Sequence, residues 1–302
     1  MLNRLVAVAD DRYHEAQQTL TARLDNLRFY ILIGILFRGR SDWMNNDRIR
    51  QILVVIALLA MIAVNIMANA LPINGQNTGE ISDRFEVFFV PAGYVFSIWG
   101  LIYLGLLAYA VYQVLPAQAE NPDLRSIGYL FVLSCVANIA WIFLWHYNLV
   151  ALSVIAMLSL LGLLIVIYLR LDIGGAQVSS VMKWLVHVPF SIYLGWITVA
   201  TIANITSWLY SIQGSGWGIS PEMWTVIMLA IATVVGGVMS MTRGDVAYAA
   251  VLIWAFIGIA LKHQDTAVVS NAAWIAAIVT AILMIIGAYR KRQSGSDPAS
   301  AT

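Results

Sequence analysis

Polar residues along this chain fall in short clusters that separate long uncharged apolar runs. A membrane-crossing helix needs about 20 consecutive apolar residues, and several runs reach that length. The first extends from Ile52 to Leu71 and the second from about Tyr94 to Leu115. Between Ser126 and Leu169 there is no Asp, Glu, Lys or Arg. That stretch is too long for one crossing and predicts two helices turning near His146, Tyr147 and Asn148. A fifth helix is expected over Trp184 to Tyr210, a sixth over Met223 to Met241 and an eighth over Ala272 to Tyr289. The seventh, Val246 to Leu261, is the shortest, and snorkelling by its flanking Asp245 and Lys262 would let it span.

Eight crossings with the N-terminus inside put 15 basic residues on the inner side and leave only Arg84 and Lys262 outside. This is the asymmetry of a positive-inside protein. It places both termini in the cytoplasm and the chain in a plasma membrane, expected to be a bacterial inner membrane. The acids near the N-terminus do not fit a signal peptide. Before the first crossing, Leu20, Leu24, Leu27 and Ile31 recur at helical spacing, which predicts an amphipathic helix. The short run Phe29 to Phe37 predicts an interfacial segment. The organisation expected is therefore a cytoplasmic N-terminal region over 1–50, a five-helix unit over 51–210, three further helices over 211–289, and a disordered cytoplasmic tail over 290–302.

Composition sharpens the class. Hydrophobic residues make up 61% of the 302 and charged residues 11%, with a formal net charge of +1. Soluble domains carry roughly a quarter charged residues, so the fold class is an all-α membrane protein. The near-neutral charge argues against nucleic-acid binding. Cys135 is the single cysteine and is read as a small core residue. No paired His or Cys motif has metal-ligand spacing, so no metal is expected. No Asp, Glu, Lys or Arg falls mid-span, which lowers the expectation of an ion-coupled pump and removes a buried lysine for a retinal Schiff base. His146 and His187 sit near helix ends and are read as interfacial polar groups. The expectation is of a protein that is not an enzyme of conventional acid–base type.

The spans are instead rich in aromatics and amides at helical spacing. Phe96, Trp99 and Tyr103 share one face of the second helix, and Asn138, Trp141 and Trp145 share one face of the third. Pro189, Tyr193, Trp196, Ala200 and Asn204 line the fifth, while Asn65 and Asn69 lie one turn apart on the first. Amides cement helix contacts and aromatics pack or sit in interfacial belts, so each residue taken alone has a structural reading. Three stripes at comparable depth predict more: a pocket with flat polarisable walls, suited to a planar, largely apolar ligand.

Three segments carry a family resemblance. VPAGYVFSIWGLIY (Val90 to Tyr103), ANIAWIFLWHYNL (Ala137 to Leu149) and VPFSIYLGWITVATIANITSW (Val188 to Trp208) resemble, in order, the second, third and fifth helices of the tryptophan-rich sensory proteins. That family (TspO/MBR) includes the mitochondrial translocator protein, or peripheral benzodiazepine receptor. The resemblance covers about Ile52 to Tyr210. It implies a five-helix translocator-protein-like bundle, here with three additional transmembrane helices, often homodimeric, with a cavity opening toward the first loop. It further implies binding of porphyrins or other tetrapyrroles, a haem-like ligand included, with no cofactor required. By motif, Trp99, Tyr103, Asn138, Trp141, Tyr193, Trp196, Ala200 and Asn204 would face the ligand, and Pro91 and Gly93 would shape the loop above it.

The departures are specific. The family's longer proline-rich approach to the second helix is reduced here to Phe89 to Tyr94, and its Ser-Pro after the third-helix Trp is Ile142-Phe143. No Lys or Arg follows Tyr210 until Arg243, so the sterol-recognition pattern expected after the fifth helix is missing; Val166, Tyr168 and Arg170 fit that loose pattern elsewhere. Three roles stay open: receptor or carrier for a planar hydrophobic molecule, accessory subunit of a larger membrane complex, and light-dependent porphyrin breakdown at a pocket Trp. Nothing in the sequence assigns a role to residues 1–50 or to the last three helices.

Overall fold

The computed structural model describes residues 46–85, 87–213 and 218–296. The chain divides into Met1–Ile49 and Arg50–Thr302, and the architecture below is that of the second unit. The amphipathic and interfacial segments expected between residues 20 and 37 lie outside the described residues.

Every described element is helical. Helix α1 (Asn46–Ala70) is followed by a loop holding the short α2 (Thr78–Asp83). A 3-10 turn, Gly93–Ser97, leads into α3 (Ile98–Val114). Then come α4 (Pro122–His146), α5 (Val150–Arg170) and a short α6 (Ser180–Met182). Helix α6 continues through a π-helical turn, Lys183–His187, into α7 (Val188–Gln213). Helices α8 (Pro221–Arg243), α9 (Val246–Lys262) and α10 (Ala267–Ser296) complete the chain. Seven helical stretches are long and apolar enough to cross a membrane, α3 counted with its leading turn as Gly93–Val114 and α7 with α6 and the π-turn as Ser180–Ile212, and α9 is a shorter apolar helix.

Local chemistry explains the boundaries. Asn121 and Ser220 cap α4 and α8, each with a proline at the first helical position. Asn77 and Glu80 form a reciprocal capping box on α2. Gly244 ends α8 at φ +62, a left-handed conformation glycine adopts without Cβ strain. Pro189 has no N–H to offer the carbonyl four residues back, and the ladder adjusts by the π-turn immediately before it. The turn expected near His146 to Asn148 is present, with Asn148 at φ 59.

Helix α7 is the hub. It packs against α3, α5 and α9, and its span is the most buried of the seven. Helices α4 and α5 form an antiparallel pair beside it, while α8, α9 and α10 pack on one another. A Cβ at Gly287 would come within 2.0 Å of the Ser240 carbonyl oxygen, so α8 and α10 approach backbone to backbone, as small residues permit in membrane bundles.

Inter-helix contacts sort into two ends. At one end Gln51 and Gln113 exchange amide hydrogen bonds of 2.5 and 3.0 Å, Arg170 donates to the Ser126 carbonyl, and Arg243 pairs with Asp172 at 2.6 Å. At the other end Asn74 donates to the His146 carbonyl, Arg84 to Asn148, and Lys262 pairs with Asp83.

Two expectations change. Asp245 does not snorkel: it is buried and accepts from Tyr168 Oη (2.9 Å), Ser191 Oγ (2.6 Å) and the Tyr248 N–H (3.1 Å). Three donors satisfy the carboxylate, so it has no need to reach water. The C-terminal tail is also helical further than expected. Helix α10 continues past Tyr289 to Ser296, and Arg290, Lys291 and Arg292 are good helix formers.

Candidate functional site

The aromatic stripes converge. On α3, Trp99 and Tyr103 stack one turn apart at 5.5 Å and 25°. On α4, Trp141 and Trp145 do the same at 5.9 Å and 18°. Trp196 of α7 meets Trp99 edge-on at 6.2 Å and Phe96 edge-on at 5.6 Å. Such tilted contacts match the quadrupoles of the rings.

Two cavities border this cluster. The larger, about 820 Å³, is lined by Asn65 and Asn69 of α1, by residues of the first loop including Thr78, Pro91 and Gly93, and by Phe96, Trp99, Tyr103 and Trp141. The smaller, about 60 Å³, lies among Asn138, Trp145, Met157, Trp196, Ala200 and Asn204. Trp99, Trp141, Phe96, Thr78, Val90 and Pro91 line both, so the two share a wall.

The expected site residues are therefore brought together but divided. Trp99, Tyr103, Trp141, Pro91 and Gly93 face the larger cavity, while Asn138, Trp196, Ala200 and Asn204 face the smaller. Tyr193 lines neither. It is fully buried behind Trp99, where its hydroxyl accepts from Asn138 Nδ2 at 3.2 Å.

The amides are engaged within the protein. Asn65 Nδ2 donates to Asn138 Oδ1 at 2.7 Å, extending the chain from Tyr193 to α1. Trp141 Nε1 donates to Asn204 Oδ1 at 3.1 Å, and Asn204 Nδ2 donates to Ser153 Oγ at 3.0 Å. Trp145 Nε1 donates to the Thr78 carbonyl. The indole of Trp196 differs: it is buried and its N–H has no partner. A buried donor left unpaired is costly, and here it belongs to a residue of the cavity wall.

The mouth carries charge. Asp83 and Lys262 both line the larger cavity and pair at 2.7 Å with partly exposed side chains. His263 beside them stacks edge-on with Phe88 at 5.0 Å. Its pKa lies below the ordinary histidine value because burial disfavours the cation, an effect the neighbouring Lys262 reinforces. Thr78, Asp83 and the last-helix-group residue Lys262 are site residues that periodicity did not select. His146, at the end of α4, is fully buried, with Nδ1 2.8 Å from the Ile142 carbonyl. His187 is buried with Nε2 unpartnered. Among the described residues no cluster of His, Cys, Asp or Glu has the arrangement of a metal site, and Cys135 is a buried free thiol.

No curated protein and no solved structure matches the chain at a significant level. The family model for TSPO-like proteins does match, over residues 51–286. The matched stretch runs beyond the five-helix unit and takes in α8, α9 and most of α10. With this match spanning most of its length, and with the three helix motifs converging on shared cavities, the chain belongs to the TSPO-like protein family.

Proposed function

We propose that this integral membrane protein is a receptor or carrier for a planar hydrophobic ligand of the porphyrin type, held against the aromatic wall formed by Trp99 and Trp141. The observation that carries this reading is the cavity of about 820 Å³ with Trp99, Tyr103, Phe96 and Trp141 in its lining. Its volume falls in the range of small-molecule sites. Stacked rings offer flat, polarisable faces, and the amide oxygens of Asn65 and Asn69, whose Nδ2 groups donate within the protein, share the lining and would meet a polar edge. The unpartnered Trp196 N–H supports an acceptor atom on the ligand's buried side, reached when the shared wall gives way. In this reading the end of the bundle richer in Arg and Lys faces the cytoplasm.

The test is titration of the purified protein with protoporphyrin, followed by tryptophan quenching and porphyrin absorbance. Saturable quenching is expected, weakened at least roughly tenfold in Trp99→Ala, as loss of a stacking partner plus its buried area predicts. Trp274→Ala, on a partly exposed position of α10, should bind as the parent does. Absence of saturation, or equal affinity in Trp99→Ala, overturns the reading. Illuminating the same complex and following the porphyrin band separates binding from breakdown.

A further inference from the structure

The last three helices have no role that sequence periodicity suggests, yet one of them touches the cavity roof repeatedly. Residues 87–92 carry no regular secondary structure, so their backbone groups need partners outside the segment. Helix α9 and its C-cap supply two of them and bond once more to the turn that follows, Gly93–Ser97. The Ala92 N–H donates to the Gly258 carbonyl at 3.2 Å. Trp254 Nε1 donates to the Val95 carbonyl at 3.1 Å. His263 Nε2 lies 3.3 Å from the Val90 carbonyl. Tyr94 and Trp254 meet edge-on at 5.3 Å.

The fit is close. A Cβ at Gly258 would stand 2.2 Å from Val95 Cγ2 and 3.1 Å from Pro91 Cβ, so the roof rests on bare helix backbone. The same roof residues, Val90, Pro91, Ala92, Gly93 and Phe96, line the larger cavity. At the rim, Lys262 of α9 reaches Asp83 of α2, 179 residues away in sequence.

We propose that α9 is the clamp that positions the cavity roof, with Gly258 as its seat, Trp254 and His263 as fixed anchors, and the Asp83–Lys262 pair as a reversible catch at the mouth. An exposed ion pair contributes little static stability, which suits a catch that opens rather than an anchor. Helices α8 and α10, packed on α9, hold the clamp against the bundle. Gly258, Trp254 and the C-cap residue His263 are positioning residues that act on the ligand space through residues 90–96, while Lys262 acts at the rim through Asp83.

Hydrogen–deuterium exchange of the intact protein in lipid nanodiscs tests this without any ligand. In Gly258→Ala, amides of residues 87–97 should exchange roughly tenfold faster, as expected when one or two backbone bonds open, while α8 and α10 keep their protection. Lys262→Met should give a smaller rise, roughly threefold, which high salt reproduces in the parent protein. Restoring the pair in reversed polarity, Asp83→Lys with Lys262→Asp, should return exchange to the parent rate. Unchanged exchange over 87–97 in both single variants overturns the clamp. So does an equal rise throughout α8, α9 and α10, which marks general destabilisation. Protoporphyrin release, timed in the same samples, should accelerate in Lys262→Met. Should protoporphyrin not bind the parent, the ligand reading fails while the exchange result still decides the clamp.

Discussion

At the scale of single residues, the hydrogen-bond account of the indoles makes a prediction. Trp141 and Trp196 are both buried in cavity walls, but only Trp141 has a partner, Asn204, for its N–H. Replacing either by Phe removes a similar volume and keeps a ring. Trp141→Phe also breaks a hydrogen bond, so it should cost about 1 kcal/mol more than Trp196→Phe. Thermal unfolding in one detergent at fixed protein concentration measures the difference. Equal costs would mean that the Trp196 N–H is satisfied after all, by water for instance. This distinction was beyond the sequence. Helical spacing put Trp99, Trp141 and Trp196 on inward faces, because side-chain direction follows from the helix repeat alone. It does not reveal how far apart two inward faces stand, so the small volume beside Trp196 and the larger one beside Trp99 were not separable. Tyr193 shows the same limit. It lies on the expected face, but Asn138 takes its hydroxyl and Trp99 lies between it and open space.

At the scale of elements, apolar windows located each apolar helix to within a few residues, while its ends rest on adjacent residues the windows did not use: Asn-Pro before α4, Ser-Pro before α8, glycine after α8. What joins elements was not legible, since partners lie dozens of residues apart. Asp245 is the clearest case. In sequence it is a charge flanking a short apolar run, whereas in the fold its carboxylate ties α5, α7 and α9 through Tyr168, Ser191 and the Tyr248 N–H. The engagement of Tyr168 also takes it out of the loose sterol-recognition pattern with Val166 and Arg170, because its ring is buried. Asp245→Ala would leave two buried hydroxyls without their acceptor and α9 without its cap. The expected loss is about 2–3 kcal/mol, with Asp245→Asn intermediate because its amide oxygen still accepts. Lowered melting temperatures in that order check the argument. An Asp245→Ala protein as stable as the parent would remove Asp245 as the tie.

At the scale of the whole molecule, the question is whether α9 crosses the membrane. Its 17 residues rise about 25 Å, less than the roughly 30 Å hydrocarbon core, so length alone does not decide. The contacts at its two ends do. Asp245, at its start, bonds to Tyr168 near the end where Arg170, Asp172 and Arg243 gather. Lys262, at its finish, pairs with Asp83 at the end where Asn74 meets His146. A helix that touches both ends of the bundle runs its full height, and on that ground we propose eight crossings from α1 to α10. The basic residues then divide unevenly: from Arg50 onward, Arg50, Arg125, Arg170, Lys183, Arg243, Arg290, Lys291 and Arg292 fall at one end, against Arg84 and Lys262 at the other. By the positive-inside rule we propose that the first end faces the cytoplasm. Single cysteines at Tyr147, Glu120 and Asp265, introduced with the buried Cys135 changed to Ser, read this directly. In right-side-out vesicles an impermeant maleimide should label Tyr147→Cys and Asp265→Cys, and reach Glu120→Cys only after permeabilisation. Labelling of Asp265→Cys together with Glu120→Cys would show that α9 turns back without crossing. That result would also remove the helix from the cavity roof, because Lys262 and Asp83 would then face opposite sides of the membrane.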